Sequence, residues 1–408
     1  MVCLLVISVA INYIDRSNLS IAASSLKEEM ALSPAQLGLL LSSFFWSYAL
    51  CQIVSGWVVD RWNVNAVMIA GFVLWSGATA ATGWAVGFGM LFAFRLLLGI
   101  GESVAYPCYS KIFVQRLDER QRGVANALID AGSKFGPALG TLVGGLLVAR
   151  YGWRFLFVAL GFVGLLWVPA WLKWMPRGDT ADTDERPETR PGFREILRHR
   201  SVPATFIGHF CGNYFWYFLL TWLPYYLVHE RHFSLQTMAV IGAVPPLLSA
   251  GATIVASWLS YRALKAGATP TRVRKTCTVT GLTLATVVVF VPMASDTTTA
   301  MAVLMFASIA YGVFASSHWT ITQTIAGPLA AGRWSGLQNF VGNLSGIVAP
   351  ALTGFAVDRT GNFLWAFAAV GFVTLTGAAA YLFGLGPVEP AIWNSSPPGP
   401  KESARDEP

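Results

Sequence analysis

The chain has 408 residues, of which 54% are hydrophobic and only 12% charged, with a mean hydropathy of +0.54. Soluble domains carry about 25% charged residues, so this composition excludes an ordinary soluble protein and places most of the chain in lipid. The net charge of +7 is scattered over short loops between apolar runs, which argues against a nucleic-acid patch and for a membrane-sidedness bias.

Twelve apolar runs are read in chain order at 3–25, 35–58, 65–85, 88–112, 121–149, 153–175, 203–228, 237–260, 274–294, 299–322, 334–357 and 363–385. Each is close to the ~20 residues a helix needs to cross the hydrocarbon core. The expectation is therefore an all-α integral membrane protein of twelve transmembrane helices. The first run is not read as a signal peptide, because Asp15-Arg16 interrupts it and no small-residue cleavage site follows. Only Met1-Val2 precedes it, as a clipped start would leave. Loops on one side, with the tail, hold 20 of the 28 Lys and Arg, and loops on the other side hold 5. That asymmetry predicts cytoplasmic termini and a multi-pass protein of the cell's inner (plasma) membrane.

The longest connection, Pro176 to Arg200, is polar and densely charged. It divides the chain into a six-helix bundle at 1–175, a cytoplasmic linker at 176–200 and a second bundle at 201–387. Within it, 192–200 is expected to form a short surface helix. The tail at 388–408 is expected to be disordered, its Pro390–Pro408 stretch being rich in Pro, Ser and charge. The halves echo each other: Gly145-Leu-Leu-Val-Ala-Arg150-Tyr-Gly152 matches Gly354-Phe-Ala-Val-Asp-Arg359-Thr-Gly361 at an offset of 209. Parallel repeats of this kind build carriers with a cavity between two bundles.

Charges inside the runs are the functional candidates, because at that depth they are costly unless they pair or line a water-filled cavity. Asp15 and Arg16 lie about 17 Å into the first run, counted from Leu4 at 1.5 Å per residue, too deep for a snorkelling end. Gly56-x-x-x-Asp60-Arg61 falls at the cytoplasmic end of the second run, where Asp60 and Arg61 can gate one conformation of a rocking carrier. Arg95 and Glu102 share one helix face, about 10 Å apart, among the small residues Gly99, Gly101 and Ser103. A purely structural ion pair is the competing reading, but a buried pair seldom gains stability over apolar packing. Asp130 and Lys134 form an i, i+4 pair that can neutralise itself or lend the cavity a third cation. His318, in Ser316-Ser317-His318-Trp319, can pack or line the cavity; His209 is read as structural.

No phosphate loop, zinc-protease motif or nucleophile elbow occurs, so neither ATP use nor an enzyme is expected. The five cysteines, Cys3, Cys51, Cys108, Cys211 and Cys277, lie in or at the ends of apolar runs without ligand-like spacing. No disulfide framework, metal or cofactor is expected.

The twelve runs, the long central loop and Gly56-x-x-x-Asp60-Arg61 resemble the major facilitator superfamily along nearly the whole chain. Asn12-Tyr13-x-Asp15-Arg16, Arg95-x6-Glu102, Thr221-Trp222-Leu223-Pro224 and Gly336-x2-Asn339-x3-Asn343-x2-Gly346-x3-Pro350 narrow this to the anion:cation symporter family of proton-coupled sugar-acid importers. The resemblance implies that Asp15 and Glu102 couple protons and that Arg16 and Arg95 handle the anion. It also implies that Tyr13, Tyr48, Ser316, Trp319 and Asn339 contact substrate. Asn343 joins them as a hydroxyl binder, and Lys134 and His318 as added cavity groups. Three departures are notable. Ser133-Lys134 stands for a Gln-Tyr pair, His318 for a threonine, and Asn63 and Asn65 for the superfamily loop's glycine and basic residue.

The intramembrane charges, Asp15, Glu102 and Asp130 against Arg16, Arg95 and Lys134, sum to zero. Protonating Asp15 and Glu102 is expected to free two guanidiniums for a carboxylate, so that proton and anion favour one another. The expected partners are a small organic anion, protons and the lipid bilayer, with no nucleic acid and a monomeric protein. Alternatives are an exchanger or effluxer, suggested by Gly136-Pro137-x-x-Gly140, and a receptor that binds an organic acid without transport.

Overall fold

In a computed structural model, which describes residues 1–117, 119–175 and 191–393, the chain is helical, with no strand among the described residues. In order come α1 (Val2–Ile21), α2 (Ala23–Glu29), α3 (Pro34–Arg61), α4 (Val64–Thr82), α5 (Phe88–Glu102), α6 (Ala105–Arg116), α7 (Glu119–Leu165) and α8 (Trp167–Trp174). They are followed by α9 (Phe193–Leu197), α10 (Val202–His229), α11 (Leu235–Lys265), α12 (Pro270–Ala285), α13 (Thr297–Ala315), α14 (His318–Thr360) and α15 (Leu364–Ala379). Among the described residues, nine helical stretches are long and apolar enough to cross a membrane, by length and composition.

Residues 176–190 of the expected linker and 394–408 of the expected tail lie outside the described residues. The short helix expected within 192–200 is α9. The start of the expected disordered tail is instead pinned to the fold. The Ala391 amide donates to the Ile325 carbonyl at 2.8 Å, and the Trp393 indole N–H to the Ala326 carbonyl at 3.0 Å. An indole that buries its ring while its N–H finds a carbonyl is enough to anchor such a segment.

Local chemistry sets several boundaries. Ser33 and Gln36 form a reciprocal capping box at the start of α3, and Asp296 caps α13 through the Thr299 amide. Gly152 (φ 80°) interrupts α7 and Gly327 (φ 61°) interrupts α14, at the junctions between runs that the sequence separates. Both adopt a left-handed conformation that side chains disfavour. Further interruptions fall inside the runs and are not evident in the sequence, among them Ser103-Val104 between α5 and α6, and Ser316-Ser317 between α13 and α14. Ser103 and Ser316 each donate to the carbonyl three residues back, Ile100 and Val313. Such back-bonding competes with the helical ladder. Irregular backbone at membrane depth persists only where protein or a cavity surrounds it.

Helix α1 is held against α7 by glycines spaced every four residues. A Cβ at Gly132, Gly136 or Gly140 would come within 3 Å of Val9, Ala10 and Ser17 respectively. A stripe of small residues permits this close approach, and it fixes the height at which Asp15 and Arg16 sit.

The two groups of helices meet most tightly at the end that carries α2. A Cβ at Gly38 of α3 would lie 2.6 Å from the Pro350 carbonyl and 2.9 Å from the Gly354 Cα of α14. Gly145 of α7 packs as closely on Ala239 of α11. Ser20 donates to the Leu220 carbonyl at 2.7 Å, and the Lys27 ammonium lies 5.9 Å from the Tyr225 ring centre. One apolar cluster is continuous here, from Leu19, Leu37 and Leu41 through Trp222 to Phe363. Towards the chain's N-terminus, the core of the first helices (Leu5, Val67, Ile112, Trp171) takes in only Tyr217 and Leu220 of the later ones as fully buried members.

At the α2 end, Glu29 accepts from the Trp153 indole and from Arg154, which also donates to the Gly83 and Ala85 carbonyls. The bonds from Trp153 and then Arg154 hold the Glu29 carboxyl below its ordinary range. A lowered folded value means that the contribution is present above the ordinary carboxylate range of about 4.3 and is lost as pH falls through the folded value. The melting temperature of Glu29→Gln is therefore expected to fall less steeply than the parent's as pH drops from about 5 to 3. Parallel curves would remove the assigned role. The effect will be small, because Glu29 is largely exposed and screened.

Candidate functional site

Four of the six intramembrane charges converge, and Asp130 with Lys134 stays apart as its own pair. The Arg16 Nε donates to Glu102 Oε2 at 2.8 Å, and the two side chains are 2% and 0% exposed. The partner that spacing offered Glu102, Arg95 on its own helix, turns elsewhere: its guanidinium donates to the Asp15 backbone carbonyl at 3.3 Å. The Asp15 carboxylate accepts from the Asn18 amide at 3.2 Å. Asp15, Arg16, Arg95 and Glu102 are all buried. They are brought together by α1 and α5, the latter wedged in by Gly99 against the Phe44 carbonyl and Gly101 against Gly71 and Trp75.

The Arg16 guanidinium sits in an aromatic cage, 4.6 Å from the Tyr13 ring centre, 4.5 Å from Tyr48 and 4.9 Å from Phe44. Arg95 lies 5.4 Å from the same Phe44 ring, so one aromatic ring serves both cations. Cation–π attraction grows when the partners are desolvated, to about 2 kcal/mol. Tyr48 accepts from Gln52, and Tyr106 donates to Tyr13 at 3.4 Å.

The charge count balances as expected, but the hydrogen bonding does not. Asp15 Oδ2, Glu102 Oε1, Arg16 Nη2, Arg95 Nε and both polar atoms of the Asn12 side chain are buried without a well-aligned hydrogen bond, although Asn12 lies beside Glu102 and Thr79 beside Asp15. Each such group costs about 1–3 kcal/mol in a closed interior. A cluster with so much unused donor and acceptor capacity suits exchange with a polar ligand or a proton better than it suits a structural bridge.

The later helices add a polar seam. The Tyr217 hydroxyl donates to Asn343 Oδ1 at 2.8 Å, and the Asn343 amide donates to the Asn339 carbonyl. Tyr217 also packs on Phe45 of α3, ring centres 4.4 Å apart. Ser316 is buried beside Ser317. His318 stacks on His209 at 5.1 Å and on Phe314 at 4.9 Å, with Trp319 against both imidazoles. Lys134 binds Asp130 at 2.6 Å, with side chains 19% and 59% exposed, and lies within electrostatic range of His318.

Arg61 is exposed at the far end of α3, its guanidinium 4.9 Å from the Trp57 ring. The side chain of Asp60, expected to gate with it, lies outside the described residues. Phe44, Asn213 and Tyr217 adjoin these groups and are not singled out in the sequence, where Asn12 enters only within a motif and His209 only as structural. The α10 residues His209, Asn213 and Tyr217 had a signal, polar residues four apart in an apolar run, which is one helix face.

Comparisons with known proteins match most of the chain. The family model described as Major Facilitator Superfamily matches residues 5–350. The chain is 30% identical to the hexuronate transporter of Bacillus subtilis (strain 168), over 91% of each chain. It is 27% identical to a probable galactarate/D-glucarate transporter of the same organism, over 98% of this chain and 95% of that one. A solved bacterial homologue of the human lysosomal transporter Spinster, in an inward-facing and occupied conformation, superimposes with a TM-score of 0.82 at 19% identity. It covers 94% of this chain and 96% of its own.

Proposed function

The chain belongs to the Major Facilitator Superfamily, a membrane transporter and not an enzyme, and on that premise we propose that it imports a small sugar acid together with protons by alternating access. The substrate is an aldonate, aldarate or hexuronate, the class that the names of its relatives share. In this reading the helices make twelve passes across the cytoplasmic membrane. They form two six-helix bundles, 1–175 and 201–387, joined by a cytoplasmic linker, with both termini in the cytoplasm. The tight contact at the α2 end then belongs to a state closed to the outside.

The observation that carries the proposal is the Arg16–Glu102 pair, buried in an aromatic cage beside Arg95 and Asp15 with several polar atoms unmatched. A proton on Glu102 removes the charge that holds Arg16 and leaves a planar, forked donor, which suits a carboxylate. Asp15 acts likewise beside Arg95. Substrate hydroxyls reach Tyr13, Tyr48, Ser316, Asn339 and Asn343, and Trp319 walls the site. Binding of proton and anion then reinforce one another by linkage, and the loaded carrier rocks about its central site. The exposed Asp130–Lys134 pair adds a cation only when Lys134 is released from Asp130, and Asp60 with Arg61 gates the cytoplasmic side.

In proteoliposomes with an imposed pH gradient, Glu102→Gln is expected to lose gradient-driven accumulation, by more than tenfold, while keeping counterflow exchange. Accumulation equal to the parent's would remove Glu102 from the coupling step. Counterflow in the parent without any effect of pH would turn the reading to an exchanger.

A further inference from the structure

Resting on the sugar-acid reading, we propose that His209 is a substrate-binding residue and that, with His318, it forms a second pole taking the far acidic group of a two-ended sugar acid. Every named contact of the first pole, at Arg16, can be satisfied by a single carboxylate. The polar row on α10 does not stop there. His209, Asn213 and Tyr217 are spaced i, i+4 and i+8, so the row runs about 12 Å along the axis away from the cage. Its Tyr217 end lies beside the cage, within electrostatic range of Arg16 and packed on Phe45.

At the other end, the Asn213 amide lies 3.3 Å from His209 Nε2. With the amide donating, the ring proton of His209 sits on Nδ1, and that nitrogen is buried without a protein partner. His209 is 2% exposed, so an orphaned donor there carries a desolvation cost until a ligand or water accepts from it. Phenylalanine in its place would stack as well. Backbone has made room for the ring: a Cβ at Gly342 of α14 would lie 2.2 Å from His209 Cδ2 and 2.8 Å from the Asn213 amide. The imidazole stacks nearly parallel to His318, at 17°, with Trp319 across both rings. Lys134, on α7 and within electrostatic range of His318, is paired with Asp130 at 2.6 Å and brings positive charge to this end only when released from it. An imidazole pair, an indole wall and an ammonium suit an anionic terminus better than an uncharged one. Asn339 and Asn343, on the α14 face that carries Gly342, stand between the poles for the hydroxyls in the middle.

The test is binding to the purified full-length protein in detergent, with one aldarate and the aldonate that differs from it at a single terminal carbon. The parent is expected to bind the aldarate at least tenfold more tightly. His209→Phe, which keeps the stack and removes the donor, should reduce that aldarate-to-aldonate ratio at least tenfold. His209→Asn, which keeps a donor, should restore part of it. A parent that binds both acids equally, or a ratio unchanged by His209→Phe, overturns the proposal. The parent's own preference is measured first, so it stands as a test even where a variant fails to fold. A parent that binds neither acid, nor a hexuronate, would sink the sugar-acid reading itself, which is a different result.

Discussion

Arg16→Met is expected to destabilise the protein by roughly 3–5 kcal/mol, because it strands Glu102 as a buried carboxylate without its cation. The same principle makes the opposite prediction for removing both charges, since a buried pair replaced as a unit is close to neutral. Arg16→Met combined with Glu102→Gln should therefore be more stable than Arg16→Met alone, with the two single effects far from additive. Thermal denaturation of the four purified proteins completes the cycle. Additive losses would mean that the pair is incidental. Substrate binding should not recover in the double variant, because the guanidinium is gone. Arg16→Lys separates the roles further. It keeps a charge for Glu102 but loses the planar fork that a carboxylate matches and the flat face that stacks in the cage of Tyr13, Phe44 and Tyr48. Stability near the parent's with binding weakened by at least tenfold, about 1.4 kcal/mol, is the expected pattern.

Gly38→Val should leave the protein folded and stop transport. The seal at the α2 end is backbone on backbone, and a side chain on Gly38 meets the Pro350 carbonyl and the Gly354 Cα below 3 Å. Neither is the movable end of a side chain. The added group clashes only when the two groups of helices are closed at this end, so the cost, about 1–3 kcal/mol for overpacking, falls on that state alone. A differential penalty of that size shifts a two-state balance by roughly five- to 150-fold. Uptake should fall by more than tenfold. A cysteine placed at Leu41, buried beside the seal, should react faster with an impermeant maleimide in the Gly38→Val background than in the parent. Unchanged labelling would show that this glycine crossing is not the closure.

The helical content, the membrane character and the burial of the charged residues of the first and fourth runs were legible because they depend on short-range properties. A run of about 20 apolar residues has few alternatives to a membrane helix, and a charge within it needs a reason. Asp15, Arg16, Arg95 and Glu102 could therefore be picked out before any contact was known. Who pairs with whom could not, since Arg95 and Glu102 lie seven residues apart on one helix yet take their partners from α1. His209 is only half legible for a related reason. Its spacing with Asn213 and Tyr217 marks a polar helix face, but what that face meets is decided by His318 and Gly342, more than 100 residues away.

The breaks at Ser103 and Ser316-Ser317 were also invisible, because a serine that bonds back to its own helix is common and only its surroundings decide whether the helix yields. By itself the sequence determined a lipid-embedded chain of helices, the level at which its charges sit, and the family resemblance that those charges carry. Only the tertiary structure decided the Arg16–Glu102 pair, the aromatic cage around it and the glycine crossing that seals one end. Each of these joins segments remote in sequence, and their distance and orientation are set by how whole helices pack, not by any local preference of the residues.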